Sequence, residues 1–262
     1  MIRGFRLAKR GLVPAFTYSD RNIYAYNRVD GHNMYQNFTN KKFEDFLKWY
    51  EANFVYTAKT CKENQEEHIK DCRKFYQNKT YQRVKQFLDT KPEHYYLKHK
   101  INGLDCHSIS EILLLLDWDK LCDGTPIEFH GDLNFGNVLY DGKKFYAIDW
   151  REYFGNDKFV GDLYYDLGKL YAGLCLSWDE LKDENKISMN INNREVNFSL
   201  DRIGLLAQTR QNLVNWCRLK HYNIDKIKTI ASLSYLNMAP LHTEKLGNLL
   251  FFKSVYNLSK LV

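Results

Sequence analysis

Two carboxylates and an amide fall within one stretch, FHGDLNFGNVLYDGKKFYAIDW, Phe129 to Trp150. Asp132 follows His130-Gly131, Asn137 comes five residues later, and Asp149 precedes Trp150. Between them, Asn137–Tyr140 and Phe145–Ile148 are short apolar runs joined by Asp141-Gly142, the pattern of a β-hairpin. A hairpin returns the chain to its start, so Asp149 is expected beside the loop that carries Asp132 and Asn137. Such a set suits phosphoryl transfer. Asn137 and Asp149 offer hard oxygen ligands to Mg²⁺, which binds through one or two carboxylates plus substrate phosphates. Asp132 is placed to accept the proton of an acceptor hydroxyl and hold it in line with a γ-phosphate.

The spacing H-G-D-x-x-x-x-N at His130–Asn137, followed by Ile148-Asp149-Trp150, resembles the active-site signature of the aminoglycoside phosphotransferase and choline kinase family, a branch of the protein-kinase-like fold. Gly161-Asp162-Leu163-Tyr164-Tyr165-Asp166-Leu167 resembles the G-D-x-x-Y-D-L segment that follows there. Three motifs in order make the likeness specific, where a lone His-Gly-Asp would be weak. It covers roughly residues 14–262 and is strongest over 129–174. It implies an α+β, protein-kinase-like fold with ATP and Mg²⁺ as cofactors, Asp132 as base, and Asn137 and Asp149 as metal ligands. It also implies a hinge at Asn27, Arg28, Val29 and Asp30 whose backbone holds the adenine. In that family the histidine of the motif fixes the loop more than it acts as acid or base, and this is the reading for His130.

Other polar residues around this stretch carry two readings each. Arg151, next to the metal-binding pair, could grip a phosphate or carboxylate with its planar fork, or form an ion pair with Glu152, Asp157 or Asp162. Asp162 suits the N-cap of a helix over 162–174. Asp166, one turn in, could bond the catalytic loop or the acceptor. His242, in a helix break at Pro240, could reach the acceptor pocket or serve as a local hydrogen bonder. Lys79-Thr80-x-x-Arg83 reads as a solvated helix face or as substrate-facing basic groups.

The elements that must position these residues are mostly helical. Met1–Leu12 reads as a helix end closed by Gly11, and Pro14–Ser19 and Ile23–Val29 as a strand pair. Helical spacing covers Lys41–Tyr56, with Thr39 or Asn40 as cap, and Cys61–Lys91, ended by Pro92. A buried helix is expected over Ser108–Leu121 and a short strand at Pro126–Phe129. Trp178–Asn192 reads as polar loop or short helix. Further helices are expected over Leu200–Lys220, Lys226–Met238 and Glu244–Leu261. The division is a remnant nucleotide-binding lobe with its hinge, 1–30, and a helical catalytic lobe with the hairpin, 31–262.

The largest departure from the family lies before residue 13. There is no G-x-G-x-x-G, and the only lysine there, Lys9, sits in a helical pattern. In kinases such a lysine positions and neutralises the phosphates. The N-terminal lobe is therefore read as truncated, or as supplied by a separate chain, or the protein as one that does not bind ATP in the usual way. The leading reading is an Mg-ATP phosphotransferase acting on a hydroxyl of a small molecule, a sugar or sugar phosphate of surface-polysaccharide or sugar-nucleotide metabolism. The alternatives are a choline or ethanolamine kinase-like enzyme and a catalytically silent kinase-like binding module. Asp132→Asn is expected to remove turnover with little loss of stability, because an exposed loop acid is replaced isosterically.

Composition narrows the partners. The 262 residues carry 38 Lys and Arg against 32 Asp and Glu, and this mild excess forms no concentrated basic run of the kind a nucleic-acid groove needs. The longest apolar run, Ile112–Leu116, is far too short to span a membrane. No signal peptide is evident. None of the six cysteines forms a C-x-x-C pair or a zinc spacing, so reduced thiols in a cytoplasmic protein are expected.

Overall fold

The computed structural model describes residues 2–20, 23–36, 38–56, 65–200 and 204–262. Helix α1 (Ile2–Lys9) is closed by Gly11 in the left-handed conformation, φ 71°. Strands β1 (Phe16–Ser19) and β2 (Tyr24–Tyr26) then form the expected antiparallel ribbon. Strand β3 (His32–Asn33) leads to α2 (Asn40–Tyr50), whose N-cap is the Thr39 hydroxyl accepting from the Lys42 N–H at 3.2 Å. A π turn, Glu51–Val55, extends it. Helix α3 (Gln65–Arg73), a π turn over Lys74–Asn78 and α4 (Lys79–Leu88) make one helical run that stops ahead of Pro92. The expected start of that run, Cys61, lies outside the described residues.

Strands β4 (Lys100–Ile101) and β5 (Leu104–Asp105) turn at Asn102-Gly103, both at positive φ. The single helix expected over Ser108–Leu121 is instead two. Ser108 and Glu111 build a reciprocal capping box for α5 (Ile109–Leu115), and Asp117 caps α6 (Trp118–Cys122). Nor is the apolar run wholly buried. Ile112 and Leu113 face the core, whereas Leu114 is 81% and Leu115 55% exposed, because a short helix turns successive residues to different sides.

Strand β6 (Pro126–Ile127) delivers the chain to His130. The central hairpin follows as β7 (Val138–Tyr140) and β8 (Phe145–Ala147), paired Tyr140 to Phe145. Its turn is fixed by the Asp141 carboxylate accepting from the Lys143 and Lys144 N–H groups at 2.8 and 2.9 Å. Strand β3 pairs with β7, making a three-stranded sheet. Strand β9 (Gly161–Asp162) pairs with β6 and runs into α7 (Leu163–Cys175). Asp162 caps α7 as expected, accepting from the Tyr164 N–H, and also accepts from the Thr125 N–H at 2.8 Å and the Tyr76 hydroxyl at 2.6 Å.

Residues 178–200 correct the loop expectation. After α8 (Trp178–Leu181), β10 (Ile187–Asn192) and β11 (Glu195–Leu200) form a six-pair hairpin turning at Asn193, φ 51°. Strand β11 adds β4 in parallel, giving the order β10-β11-β4-β5. Helices α9 (Gly204–Leu219), α10 (Ile224–Met238) and α11 (Glu244–Leu258) close the chain near the expected bounds.

Helix α7 is buried nearly all round, so it occupies the centre, against α10 and α9. An aromatic layer lies under the loop after β6. Phe135 of that loop packs against Phe38, Phe43 and Phe46 with centroids 5.3, 5.8 and 6.4 Å away. Phe43, Phe46 and Phe135 are fully buried, and each contributes about 1.5–3 kcal/mol from area removed from water. That anchors an otherwise irregular segment. No helix among the described residues is long and apolar enough to cross a membrane, and the five described cysteines are unpaired.

Candidate active site

The loop between β6 and β7 is held from behind by one carboxylate. Asp166, fully buried on α7, accepts from the backbone N–H groups of His130 at 2.6 Å and Gly131 at 2.7 Å, and from the Tyr50 hydroxyl at 3.2 Å. Burial pushes its carboxyl up to about 6, against the pull of the two N–H donors and of Arg3. Of the two readings for Asp166, the loop contact is the observed one. Its role as an acceptor-binding residue is corrected, since a carboxylate with no exposed surface and three donors has nothing left for a ligand.

Arg3 reaches in from α1, donating to the Arg151 carbonyl with its guanidinium 4.1 Å from the centre of the Phe129 ring. Arg6 of the same helix and Arg10, just past its end, pair with the buried Glu128. Gly131 sits at φ 91°, where a Cβ would come 2.4 Å from the Arg151 Cβ, so only glycine fits.

His130 is buried beside Asp166. Its Nε2 lies 3.0 Å from the Ile148 carbonyl, and its Nδ1 accepts from the Asp132 N–H at 3.2 Å. These partners assign a neutral ring with the proton on Nε2. Burial lowers its pKa to about 4, which keeps it neutral. His130 therefore ties the loop to the end of β8, and two further bonds complete the tie: Ile148 N–H to the Asn137 carbonyl at 2.9 Å, and Arg151 N–H to the His130 carbonyl at 2.9 Å. Between them Asp149 is held at φ 53°, a left-handed conformation that Asp tolerates better than most residues.

The front of the loop faces a cavity of about 590 Å³ lined by Asp132, Asn134, Asn137, Asp149, Lys169 and His242 among others. Asn137 donates through Nδ2 to the Asp132 carbonyl and to Asp132 Oδ2, both at 3.0 Å, which leaves its Oδ1 for another partner. Asn134 donates to the Asp132 carbonyl at 3.1 Å and accepts from the Gly136 N–H at 2.9 Å. Among the described residues the Asp149 carboxylate has no hydrogen-bond or ion-pair partner. Burial, then the Asp149 charge, raise the pKa values of Tyr24 and Tyr26 on β2, which places the ribbon beside this carboxylate. The ribbon is seated there by Trp150, whose ring stacks on Tyr24 at 5.7 Å and meets Phe16 edge-on at 6.1 Å.

Sequence reasoning missed Lys169. From α7 its Nζ reaches Asp132 Oδ1 at 2.7 Å, with the lysine side chain 8% and the aspartate 34% exposed. Burial opposes the charge on both groups. The pair outweighs it, holding the Asp132 carboxyl below and the Lys169 ammonium above their ordinary values. The available signal was a lysine in an almost wholly apolar helix, three residues after Asp166 and so on the same face. The pair also corrects the stability expectation for Asp132→Asn, because the amide would leave a buried ammonium without its counter-charge.

Oxygen donors of this kind fit Mg²⁺: one unpartnered carboxylate, Asp149, and the outward Oδ1 of Asn137, with phosphates completing the set. Among the described residues no group of three or more His, Cys, Asp or Glu is placed to hold a metal ion. His242 lines the same cavity, its ring stacked on Trp178 at 6.2 Å, and burial lowers its pKa. Arg151 does not line it. Its Nε donates to the Gly131 carbonyl at 3.4 Å, and no carboxylate among the described residues lies within ion-pair range, so the proposed pairs with Glu152, Asp157 and Asp162 are absent. Asn27, Arg28, Val29 and Asp30 line a separate cavity of about 440 Å³ with Pro14, Lys144 and Tyr146, and share no lining residue with the first. Lys9 is exposed on α1 and lines neither.

With this geometry in view, a solved choline kinase from Cryptosporidium parvum Iowa II superposes with a TM-score of 0.51 at 12% sequence identity, covering 98% of this chain and 76% of the choline kinase. The mixed α and β architecture is similar to that of this kinase. At that identity the likeness concerns the fold alone. No protein-family model matches the sequence, and no curated protein matches it.

Proposed function

We propose that this chain transfers the γ-phosphoryl group of Mg-ATP to a hydroxyl of a small molecule. The observation that carries this reading is the convergence of Asp132, Asn137 and Asp149 on one cavity, with Asn137 bonded to Asp132 and Asp149 without a partner among the described residues. Asp132 accepts the acceptor's proton and fixes its oxygen. Lys169 keeps that carboxylate ionised and restricts its rotation. Asn137 and Asp149 would hold Mg²⁺, which would neutralise charge on the phosphates. His130 and Asp166 take no proton in this scheme and set the loop's position. Because the transition state is loose, orientation matters more than base strength, so a base held below its ordinary pKa remains suited to the task.

For the acceptor, a sugar or sugar phosphate is favoured over choline or ethanolamine. Trp178 is the one Trp, Tyr or Phe among the cavity's lining residues, where Lys169 and Lys182 stand beside Asp132, Asp149 and Glu184, so the aromatic faces rather than the charge make the distinction. A quaternary ammonium favours several aromatic faces. The test is calorimetric titration of ATP with and without Mg²⁺, followed by an acceptor screen across sugars, sugar phosphates and amino alcohols. Mg²⁺-dependent binding with phosphorylation of a sugar-type acceptor is the expected result. A folded chain that binds no nucleotide overturns the reading in favour of a binding module.

A further inference from the structure

We propose that Lys79 and Arg151, gathered on the ring of Phe75 behind the catalytic loop, form an oxyanion subsite for a phosphate or carboxylate. The Lys79 Nζ lies 4.3 Å from the centre of that ring and the Arg151 Cζ 5.4 Å from it. Arg151 is tied to the catalytic loop through the carbonyl of Gly131, the residue before Asp132. Lys169, on Asp132 itself, completes a row of cations leading from the cavity to Phe75.

These cations are unmatched. Among the described residues neither Lys79 nor Arg151 has a carboxylate within ion-pair range. On the same helical run Arg73 pairs with Asp119 and Lys85 with Asp89 at 2.6 Å, whereas the exposed Lys70 and Lys74 have no carboxylate among the described residues but stand in water, where an unpaired charge costs little. Lys79 also follows directly on the π turn at Lys74–Asn78, an irregularity frequent at functional sites. The groups facing Lys79 are Arg151, Lys169 and Arg83, with Asp132 as the one opposing charge. Burial and then these three cations bring its pKa down to about 7. Like charges kept close in a poorly solvated place repel strongly unless an anion joins them. A planar guanidinium beside an ammonium is the arrangement that phosphate and carboxylate groups select.

The purpose of the subsite rests on the phosphotransferase reading. It receives either an anionic group of the acceptor or the phosphate being transferred. The test is titration of inorganic phosphate into the full chain and into Lys79→Met, Arg151→Met and Lys85→Met. Phosphate binding weakened at least about tenfold in Lys79→Met and Arg151→Met, and unchanged in Lys85→Met, is expected. Because Arg151 also braces Gly131, Lys79→Met, which keeps the chain length, decides the matter. Equal affinity in Lys79→Met, or no phosphate binding to the wild type, overturns the proposal. Repeating the titration with saturating Mg²⁺ and a non-hydrolysable ATP analogue separates the sources. Phosphate that still binds assigns the subsite to the acceptor, and phosphate that is excluded assigns it to the transferred group. If phosphate binds and the analogue does not, the subsite stands while the phosphotransferase reading falls.

Discussion

The two sides of the loop between β6 and β7 differ in how completely their polar groups are satisfied. Behind it, His130, Asp166, Tyr50 and the N–H groups of His130 and Gly131 form a closed set in which each group has a partner. In front, toward the cavity, Asp149 and the Oδ1 of Asn137 have none among the described residues. A closed buried network specifies geometry, whereas groups left open toward a cavity specify a ligand. The contrast separates residues that hold the loop from residues that use it, although both kinds are Asp, His or Arg.

The sharpest way to break this contrast is at Asp132. Asp132→Asn is expected to lower kcat by about a thousandfold, the scale of a positioned general base, measured by phosphate transfer under saturating Mg-ATP. Retained turnover would remove Asp132 from the front set. Next is the rear. Asp166→Ala leaves two buried N–H groups and a tyrosine hydroxyl unpaired, so a stability loss of about 3 kcal/mol is expected in urea unfolding. A loss under about 1 kcal/mol would mean the rear network is ornamental.

The Asp132–Lys169 pair bridges the two sides. Asp132→Asn should also cost about 2 kcal/mol of stability, and adding Lys169→Met should restore part of it, as a double-mutant cycle would show. Strict additivity would argue against coupling. Lys169→Met alone should raise the Asp132 pKa, so the acid limb of the activity profile moves to higher pH.

The smallest effect concerns pH and stability. The folded pKa of Asp166 is raised, so its contribution is present at low pH and lost as pH rises toward about 6. That of His130 is depressed, so its contribution is present above about 6.5, the ordinary histidine value, and lost as pH falls toward about 4. The two slopes oppose each other over nearly the same window. In Asp166→Asn the opposing slope is gone, and stability should fall more steeply between pH 6 and 4 than in the wild type. Parallel curves from chemical unfolding at several pH values would contradict this account.

Much of the site was legible because it is local. The hairpin, its Asp141 turn and the Asp162 cap follow from neighbouring residues, and the hairpin alone carries Asp149 back toward Asp132. Lys169 was not legible as a partner, because pairing a loop residue with a helix 37 positions later depends on how α7 enters the core. In β10 and β11 the apolar alternation Ile187, Met189, Ile191 and Val196, Phe198 was present, but the intervening Ser and Asn residues are turn formers and pulled the reading toward loop. The α5 break and the exposure of Leu114 and Leu115 show the opposite error: a run of apolar residues indicates burial only when its periodicity matches the element it forms.

The arginines of α1 and of the turn after it have a consequence for amide hydrogen exchange. Arg3 bonds the Arg151 carbonyl, while Arg6 and Arg10 hold Glu128, so the first turns of the chain are stitched to the residues on either side of the loop. Protection at the His130 and Gly131 amides, both locked onto Asp166, then registers whether α1 is docked. An extension fused ahead of Met1 that lifts this helix would show up as faster solvent exchange at those two positions, well before any change in the helical signal of the whole protein.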